Sequence, residues 1–193
     1  KSNSQLFQDL FVDYILKKEN GFYCEVGAFD GKKLSNTLYL EKNRGWSGIL
    51  CEPDKRYTDT IRKNRTNNIL VTEPIFSKEN IEVIFTELSH GRSGIDKNSI
   101  TEKSYALKTS TLNKVLEENL NNKKINYLSI DTEGTEYEII KGLDFDRFYP
   151  EIITIEHNYD KEKREKIYKL LKNKKYDRYF KSISRFDDWY VRP

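Results

Sequence analysis

The chain has 193 residues, of which 34% are charged and 36% hydrophobic, and its 34 basic and 31 acidic side chains leave a net charge of +3. This length predicts one domain over residues 1–193, and the charge is too balanced to require nucleic acid or a membrane surface as a partner. No apolar run approaches the ~20 residues of a membrane-spanning helix and no signal-peptide pattern opens the chain, so we expect a soluble, cytoplasmic protein. Because the chain begins at Lys1 and contains no methionine, we expect it to be one domain of a longer protein.

The first third of the chain alternates predicted helices with predicted strands. Apolar residues at helical spacing predict a helix over Gln5–Lys18, with Ser4 as its N-cap. A short apolar run from Phe22 to Gly27 predicts a buried strand. The elements expected next are helices at 35–43 and 54–63 and strands at 48–53 and 69–76. Strands that alternate with helices favour right-handed crossovers and a parallel sheet.

The middle of the chain departs from this alternation. Ile81–Leu88 predicts a strand without a helix before it, residues 89–99 form a polar loop containing His90, and Tyr105–Thr109 predicts another strand. We interpret this section as a hairpin inserted over the rim of the sheet. The elements expected after it are a helix at 111–119, a strand at 125–130, a helix ending at 142, a strand at 151–157, a helix at 161–172 and an antiparallel hairpin within 176–191.

Acidic side chains recur at the ends of the predicted parallel strands. The strand ends carry Glu25 with Asp30, Glu52, Asp131 with Glu133, and Glu156 with His157. The carboxyl ends of parallel strands lie on one edge of a sheet, where ligands bind. We therefore expect these distant positions to converge on one cleft.

The turn after the first strand is typical of a nucleotide-like ligand site. Gly27 and Gly31 allow the backbone to approach a ligand closely. Glu52 lies roughly 20–25 residues further on, where α/β nucleotide-binding proteins place the acid that accepts from a ribose diol. The turn lacks the G-x-G-x-x-G pattern, which argues against a nicotinamide dinucleotide enzyme.

Several motifs together resemble the FkbM-type S-adenosylmethionine-dependent methyltransferases. They are Ser4-Gln5 with Gln8-Asp9, Glu25–Gly31, Ser35–Thr37, Trp46–Gly48 with Glu52-Pro53, and Ile130–Glu136. The resemblance covers nearly the whole chain. It implies a Rossmann-like class I methyltransferase fold: an α/β fold with helices on both faces of a mostly parallel seven-stranded sheet, closed by an antiparallel C-terminal hairpin.

The resemblance also implies a site for S-adenosylmethionine. Glu25, Gly27 and Asp30 would shape the pocket for its methionine part, and Glu52 would hold both ribose hydroxyls. Asn36 and Thr37 would meet its carboxylate through free N–H groups, and Ile75, Phe76 and Ser77 would flank the adenine. The full set of expected cofactor-binding residues is Glu25, Gly27, Ala28, Asp30, Asn36, Thr37, Glu52, Pro53, Ile75, Phe76 and Asp131.

Three residues are candidates for a catalytic base. A base helps because an alcohol is a poor nucleophile at neutral pH, and Asp131, Glu133 and His157 are predicted at the central strand ends. Asp131 and Glu133 are also candidate ligands for a divalent cation such as Mg²⁺, which would orient and acidify a sugar diol. The alternatives are that the two acids orient the following helix and that His157 is a packed, hydrogen-bonded residue.

The resemblance implies methyl transfer to a hydroxyl of a sugar, glycan or related small molecule. One alternative is methylation of a nitrogen or of a nucleic acid; a second is an inactive domain that binds a cofactor or a partner. An Asn/Asp-Pro-Pro-aromatic motif for exocyclic amines is absent, since Asp131–Gly134 stands at that place. The near-neutral charge argues against strong phosphate binding.

Overall fold

The structure, a computed structural model, describes residues 1–88, 93–95, 103–121 and 123–193. His90 and most of the polar loop predicted at 89–99 lie outside the described residues. The helices are α1 (Gln8–Leu16), α2 (Leu38–Arg44), α3 (Thr58–Asn64), α4 (Leu112–Asn119), α5 (Glu136–Gly142) and α6 (Lys161–Asn173). The strands are β1 (Phe22–Val26), β2 (Ser47–Cys51), β3 (Ile69–Val71), β4 (Ile75–Phe76), β5 (Glu82–Thr86), β6 (Gly94–Ile95), β7 (Ser104–Lys108), β8 (Ser110–Thr111), β9 (Tyr127–Ile130), β10 (Ile152–Glu156), β11 (Asp177–Tyr179) and β12 (Asp187–Val191).

A seven-stranded sheet in the order β11-β12-β10-β9-β1-β2-β3 forms the centre of the molecule. β1 pairs in parallel with β2 and β9, and β9 pairs in parallel with β10. β12 runs antiparallel to both β10 and β11. The predicted class I methyltransferase fold, with its antiparallel C-terminal hairpin, is therefore confirmed.

Both faces of the sheet are buried because successive strand residues point to opposite sides. On one face, Cys24 and Leu128 pack in a cluster with apolar residues of α4, α5 and α6. On the other face, Tyr23 and Tyr127 pack with residues of α1, α2 and α3. Burial on both faces explains why β1 and β10 are apolar runs without alternation.

The predicted insertion is a separate three-stranded antiparallel sheet in the order β6-β5-β7. The sequence predicted its two long strands but not β6, which has only two residues. Gly94 of β6 lies against the loop after β9: a Cβ at Gly94 would be 3.5 Å from the carbonyl oxygen of Thr132. The insertion thus lies over the carboxyl edge of the central sheet.

Three predicted element boundaries are corrected by the structure. The first helix begins at Gln8 rather than Gln5, and Ser4 does not cap it: the Ser4 hydroxyl donates to Asp9 at 2.8 Å. Asp54 accepts from the N–H of Arg56 in a turn, and α3 begins only at Thr58. The predicted third strand is divided, because β4 leaves the central sheet and pairs with β8. In the described part of the chain, no helix is long and apolar enough to cross a membrane.

Candidate functional site

A cleft with about 950 Å³ of empty space, partly open to solvent, lies at the carboxyl ends of β1, β2 and β9. It is bordered on one side by the inserted sheet. The described residues that line it are Gln5, Glu25–Phe29, Lys33–Asn36, Cys51–Asp54, Tyr57, Glu73–Ile75, Phe85, Ser93–Ile95, Asp131–Glu133 and Thr135. The predicted convergence of strand ends on one cleft is therefore what the structure shows for β1, β2 and β9.

Gly27 closes β1 at the floor of this cleft. Its φ of 90° favours glycine, and a Cβ at this position would overlap the carbonyl oxygen of Asp131. The Gly27 N–H donates to the carbonyl of Cys51 at 2.9 Å, and the Asp131 N–H donates to the carbonyl of Val26 at 2.9 Å. Three strand ends therefore meet around a residue that must be glycine.

Glu25 is buried, and its carboxylate is occupied by hydrogen bonds from one loop. It accepts from the Ser35 hydroxyl at 3.0 Å, from the Asn36 N–H at 2.6 Å and from the Thr37 hydroxyl at 2.6 Å. Burial raises the pKa of Glu25, and the guanidinium of Arg65, 3.8 Å away, opposes that rise. Glu25 thus holds the 35–37 loop in place.

Arg65 also holds the 35–37 loop in place through hydrogen bonds, and it is only 2% exposed. Its guanidinium donates to the Gly31 carbonyl at 3.0 Å, to the Tyr23 hydroxyl at 2.6 Å and to the Thr37 hydroxyl at 2.9 Å, and it pairs with Glu41. No pattern in the sequence pointed to Arg65. Its role is structural: it links β1, α2 and the loop that borders the cleft.

Glu52 has a different environment from Glu25. Its two oxygens accept backbone N–H groups, from Phe29 at 2.8 Å and from Asp54 at 2.9 Å. Burial raises the pKa of Glu52 to about 7, and these two N–H donors oppose the rise. Because Glu52 lines the cleft and each carboxylate oxygen has further lone pairs, the side chain is fixed yet able to accept from a ligand diol.

Asn36 offers the clearest test of whether the predicted cofactor fits. Its N–H is bound to Glu25, and the Thr37 N–H donates to the Ser35 hydroxyl at 3.3 Å, so the free N–H groups that we expected at this loop are engaged. The Asn36 side-chain carbonyl, in contrast, is buried and has no partner among the described residues, and Asn36 lines the cleft. An ammonium donor such as that of the methionine moiety suits this orphaned acceptor.

Aromatic side chains line the cleft at a point that sequence reasoning missed. The rings of Phe29 and Tyr57 meet edge to face with their centroids 4.6 Å apart. Ile75 faces the same cleft, as predicted for the adenine region, whereas Phe76 does not line it. Nothing in the local sequence of α3 distinguishes Tyr57 from a core aromatic.

A group of acids lies at the central strand ends. Single oxygens of Asp131, Glu133 and Glu156 lie within 4.8 Å of one another. Burial, followed by the charges of Glu156 and Asp187, raises the pKa of Asp131 well above its usual value. Burial, followed by the charges of Glu133 and Glu136, raises the pKa of Glu156 to about 8. Sequence reasoning noted Glu156 as a strand-end acid but assigned it no role.

His157 has a buried, structural environment rather than a place along the cleft. The Tyr159 N–H donates to His157 Nδ1 at 3.1 Å, and His157 Nε2 lies 4.0 Å from Asp188. Burial lowers the pKa of His157. Asp188 is itself held by Arg164 at 2.6 Å and Arg178 at 3.2 Å.

Most of the predicted site residues border the cleft. Those that line it are Glu25, Gly27, Ala28, Asn36, Glu52, Pro53, Ile75, Asp131 and Glu133. Those that are not among its described lining residues are Asp30, Thr37, Phe76 and His157. Asp30 instead holds its own turn by accepting from the N–H groups of Lys32 and Lys33 at 2.8 and 2.7 Å.

Solved structures of methyltransferases share the fold. Precorrin-6y C5,15-methyltransferase from Geobacter metallireducens superposes with a TM-score of 0.53 at 14% identity, covering 90% of this chain and 72% of that one. A TehB-like SAM-dependent methyltransferase from Corynebacterium glutamicum gives 0.50 at 8% identity, covering 100% and 90%. At such low identity these likenesses concern the fold alone. No curated protein sequence matches this chain.

A family model gives the more specific result. The model of the methyltransferase FkbM domain matches residues 25–181, from the end of β1 to beyond β11. This span contains the glycine turn, Glu52 and the acidic strand ends. The chain therefore belongs to the FkbM methyltransferase domain family and is an S-adenosylmethionine-dependent methyltransferase.

Proposed function

We propose that this protein, acting as a single domain over residues 1–193, transfers a methyl group from S-adenosylmethionine to a hydroxyl oxygen of a sugar or glycan. The observation that carries the proposal is the position of Asp131 and Glu133, which line the cleft beside the cofactor-type residues Gly27 and Glu52. A carboxylate-rich surface accepts hydrogen bonds from hydroxyl groups and repels phosphates. It thus favours a polyhydroxylated acceptor over a nucleic acid.

The cofactor would be held by residues that keep unused hydrogen-bonding capacity. Glu52 is fixed by two backbone N–H groups and would accept from both ribose hydroxyls. The unpartnered carbonyl of Asn36 would accept from the ammonium group. Phe29, Tyr57 and Ile75 supply the apolar wall suited to the adenine. When bound, S-adenosylmethionine supplies an electrophilic methyl group on a sulfonium sulfur.

Asp131 is the residue that we assign as the base. The acceptor hydroxyl must lose its proton as its oxygen forms the new bond to carbon, and a base is most effective when its pKa lies near the working pH. Burial and the surrounding acids shift the pKa of Asp131 upward, towards that range. Glu133 would accept from a second hydroxyl and orient the acceptor, and correct placement can lower the barrier by about 7–11 kcal/mol. The proposal does not use His157, which faces Asp188.

The test has a cofactor arm and an acceptor arm. Calorimetric titration of S-adenosylmethionine and its demethylated product should show binding to the wild type that weakens by about 10- to 150-fold in Glu52→Ala, since hydrogen bonds to a charged group contribute about 1.5–3 kcal/mol. Transfer of a labelled methyl group is then measured with neutral sugars, amino compounds and RNA as acceptors. Transfer to sugars that Asp131→Asn abolishes without loss of cofactor binding would support the proposal.

Two results would overturn it. Transfer only to amines or RNA would replace the acceptor class while leaving the methyltransferase intact. Cofactor binding by the wild type without transfer to any hydroxyl acceptor would favour a domain that only binds its ligand.

A further inference from the structure

We propose that Asp131, Glu133 and Glu156 form a binding site for a divalent cation, with Glu156 as the buried ligand. The site itself stands on the geometry of the three carboxylates. Its use in positioning a sugar diol rests on the proposed function.

The strand register places the two central acids side by side. Ile130 pairs with Ile155 across the parallel strands β9 and β10, so the next residues along the two strands, Asp131 and Glu156, are neighbours at the sheet edge. Glu133 follows in the loop after β9, with a φ of 57° that turns the chain back over this edge. One oxygen from each of the three carboxylates falls within 4.8 Å of the other two.

Glu156 carries an independent sign that a ligand is needed. It is 6% exposed, and its Oε2 is buried without a hydrogen-bond partner among the described residues. A buried ionised carboxylate without a partner is costly, and such groups are normally paired or bound to a metal. The pairing found elsewhere in this protein is absent here: within the described chain, neither Asp131 nor Glu156 forms an ion pair with Lys or Arg. Lys163, whose charge acts on Glu156, has its Nζ bound to Glu136 at 2.8 Å.

The dimensions suit a hard cation with oxygen ligands. Opposite ligands of Mg²⁺ lie about 4.2 Å apart and those of Ca²⁺ about 5 Å, from metal–oxygen distances of about 2.1 and 2.5 Å. The three oxygens lie within 4.8 Å of one another, which is close enough for a single cation of this kind to contact all three. Asp131 and Glu133 are only partly buried and line the cleft, whereas Glu156 is buried beneath them. A cation could therefore enter from the cleft and retain coordination positions on that side.

Those remaining positions indicate what the cation would do. Two adjacent hydroxyls of a sugar would fill two of the remaining positions and water the rest, and the cation would lower the pKa of the hydroxyl that it binds. The proton of that hydroxyl would pass to the oxygen of Asp131 that does not bind the cation, so that Asp131 keeps its assigned role as the base. An acceptor with vicinal hydroxyls is therefore the class that this site would favour.

The binding test uses Mn²⁺ as the probe, measured by the loss of its free-ion electron paramagnetic resonance signal, without any cofactor or sugar. We expect one Mn²⁺ per chain in the wild type, competed by Mg²⁺ or Ca²⁺. Glu156→Gln and Asp131→Asn should each weaken binding by about tenfold or more. Glu165→Gln is the matched control, because Glu165 is exposed on α6 and its ion pair in the described chain is with Lys169 at 3.7 Å. Thermal unfolding of each variant shows whether it is folded.

The outcomes separate this site from the proposed function. No Mn²⁺ binding by the wild type up to about 1 mM, the weak end for protein sites of this kind, would overturn the site, as would equal binding by folded Glu156→Gln. Methyl transfer to a sugar that proceeds unchanged in excess chelator, together with absent Mn²⁺ binding, would sink the cation while leaving the methyltransferase proposal intact. Mn²⁺ binding that depends on Glu156, without transfer to any diol, would support the site and count against the acceptor.

Discussion

Glu25 and Glu156 are both buried acids at the carboxyl ends of neighbouring parts of the same sheet, with 2% and 6% exposure. The carboxylate of Glu25 accepts three hydrogen bonds from residues 35–37 and lies 3.8 Å from the Arg65 guanidinium. Glu156 has a buried oxygen without a partner and stands among other acids. The carboxylate of Glu25 is therefore paired within the fold, whereas the Oε2 of Glu156 has no partner among the described residues.

The difference shows how to separate structural acids from functional ones. A buried carboxylate that accepts three hydrogen bonds from one loop is largely engaged within the fold, so Glu25 shapes the cleft by positioning that loop. A buried carboxylate without partners weakens the fold when it is ionised and is retained for another reason. Glu52 lies between these extremes, since it is fixed by two N–H groups and is still open to the cleft.

The largest effect is expected at Arg65, which joins the buried hydrogen-bond network around Glu25. Arg65→Met leaves the buried Glu25 without its charge partner and removes donors to Gly31, Tyr23 and Thr37. Breaking a buried pair from one side costs about 3–5 kcal/mol. Urea unfolding should show a loss of this size, whereas Arg62→Met, at an exposed position on α3, should change little. Equal stability of the two variants would mean that the Arg65 network adds nothing to the fold.

The next largest effect is expected from replacing glutamate by glutamine, made separately at Glu25 and at Glu156. Glu25→Gln replaces an acceptor of three hydrogen bonds by an amide that cannot accept them all, and we expect a loss of about 1.5–3 kcal/mol. Glu156→Gln removes a carboxyl group whose ionisation burial disfavours and which forms no ion pair among the described residues, so in the presence of chelator its stability should be unchanged or higher. Unfolding free energies of the two variants, measured together, decide the point. A comparable loss in Glu156→Gln would mean that Glu156 is as structural as Glu25.

Glu52 sharpens the comparison through pH. Its pKa of about 7 should fall when ribose hydroxyls donate to it, so binding of S-adenosylmethionine strengthens as pH rises through 7. Between about pH 6 and 8 the affinity should rise by about tenfold, following the ionised fraction. For the folding stability of the free protein the sign is opposite. Because folding raises the pKa of Glu52 from 4.5 to about 7, Glu52 lowers the free energy of unfolding as pH rises from about 4.5 to 7.

The control for this pH dependence is Glu52→Gln, which keeps the shape and cannot ionise. Its affinity should be lower and flat over the same range. Asp54 and Arg56 are the charged neighbours that also act on Glu52, and both remain in the variant. A wild-type profile that is equally flat would show that the ribose does not select the ionised form.

Sequence patterns predicted the sheet well because its strands are buried on both faces and separated by clear helices. Phe22–Val26 and Ile152–Glu156 are mostly apolar runs. Gly27 follows the first run, and each run has an acid near its carboxyl end, Glu25 and Glu156. Short elements were missed: β6 has two residues and is held by Phe85 and Thr86 of β5 rather than by its own sequence. Ser4 failed as a cap because its hydroxyl donates to the side chain of Asp9, in the first turn of α1, and no side chain caps that helix.

The cleft was predicted in outline, but its energetics were not. Residue type and strand-end position identified Glu25, Glu52 and Asp131, yet only the folded chain shows that Glu25 accepts three hydrogen bonds from residues 35–37. Arg65 had no local signal, since its partners lie 24–42 residues away along the chain. The role of Glu156 could be proposed only from the folded structure, where its Oε2 is buried without a partner among the described residues. A sequence pattern does not show whether a side chain has a partner.

The smallest effect is expected where Ser93 of the insertion contacts Asp54 and Arg56. The Ser93 hydroxyl donates to Asp54 at 2.8 Å and accepts from Arg56 at 3.0 Å, next to the cleft-lining Gly94. Ser93→Ala removes one hydroxyl and should raise the KM for S-adenosylmethionine by about two- to tenfold, the equivalent of about 0.5–1.5 kcal/mol. Ser2→Ala removes a comparable hydroxyl bond, to Asp9 at 2.6 Å, away from the insertion and should leave KM unchanged. If both variants behave like the wild type, the contact of Ser93 with Asp54 and Arg56 does not help to hold the cofactor.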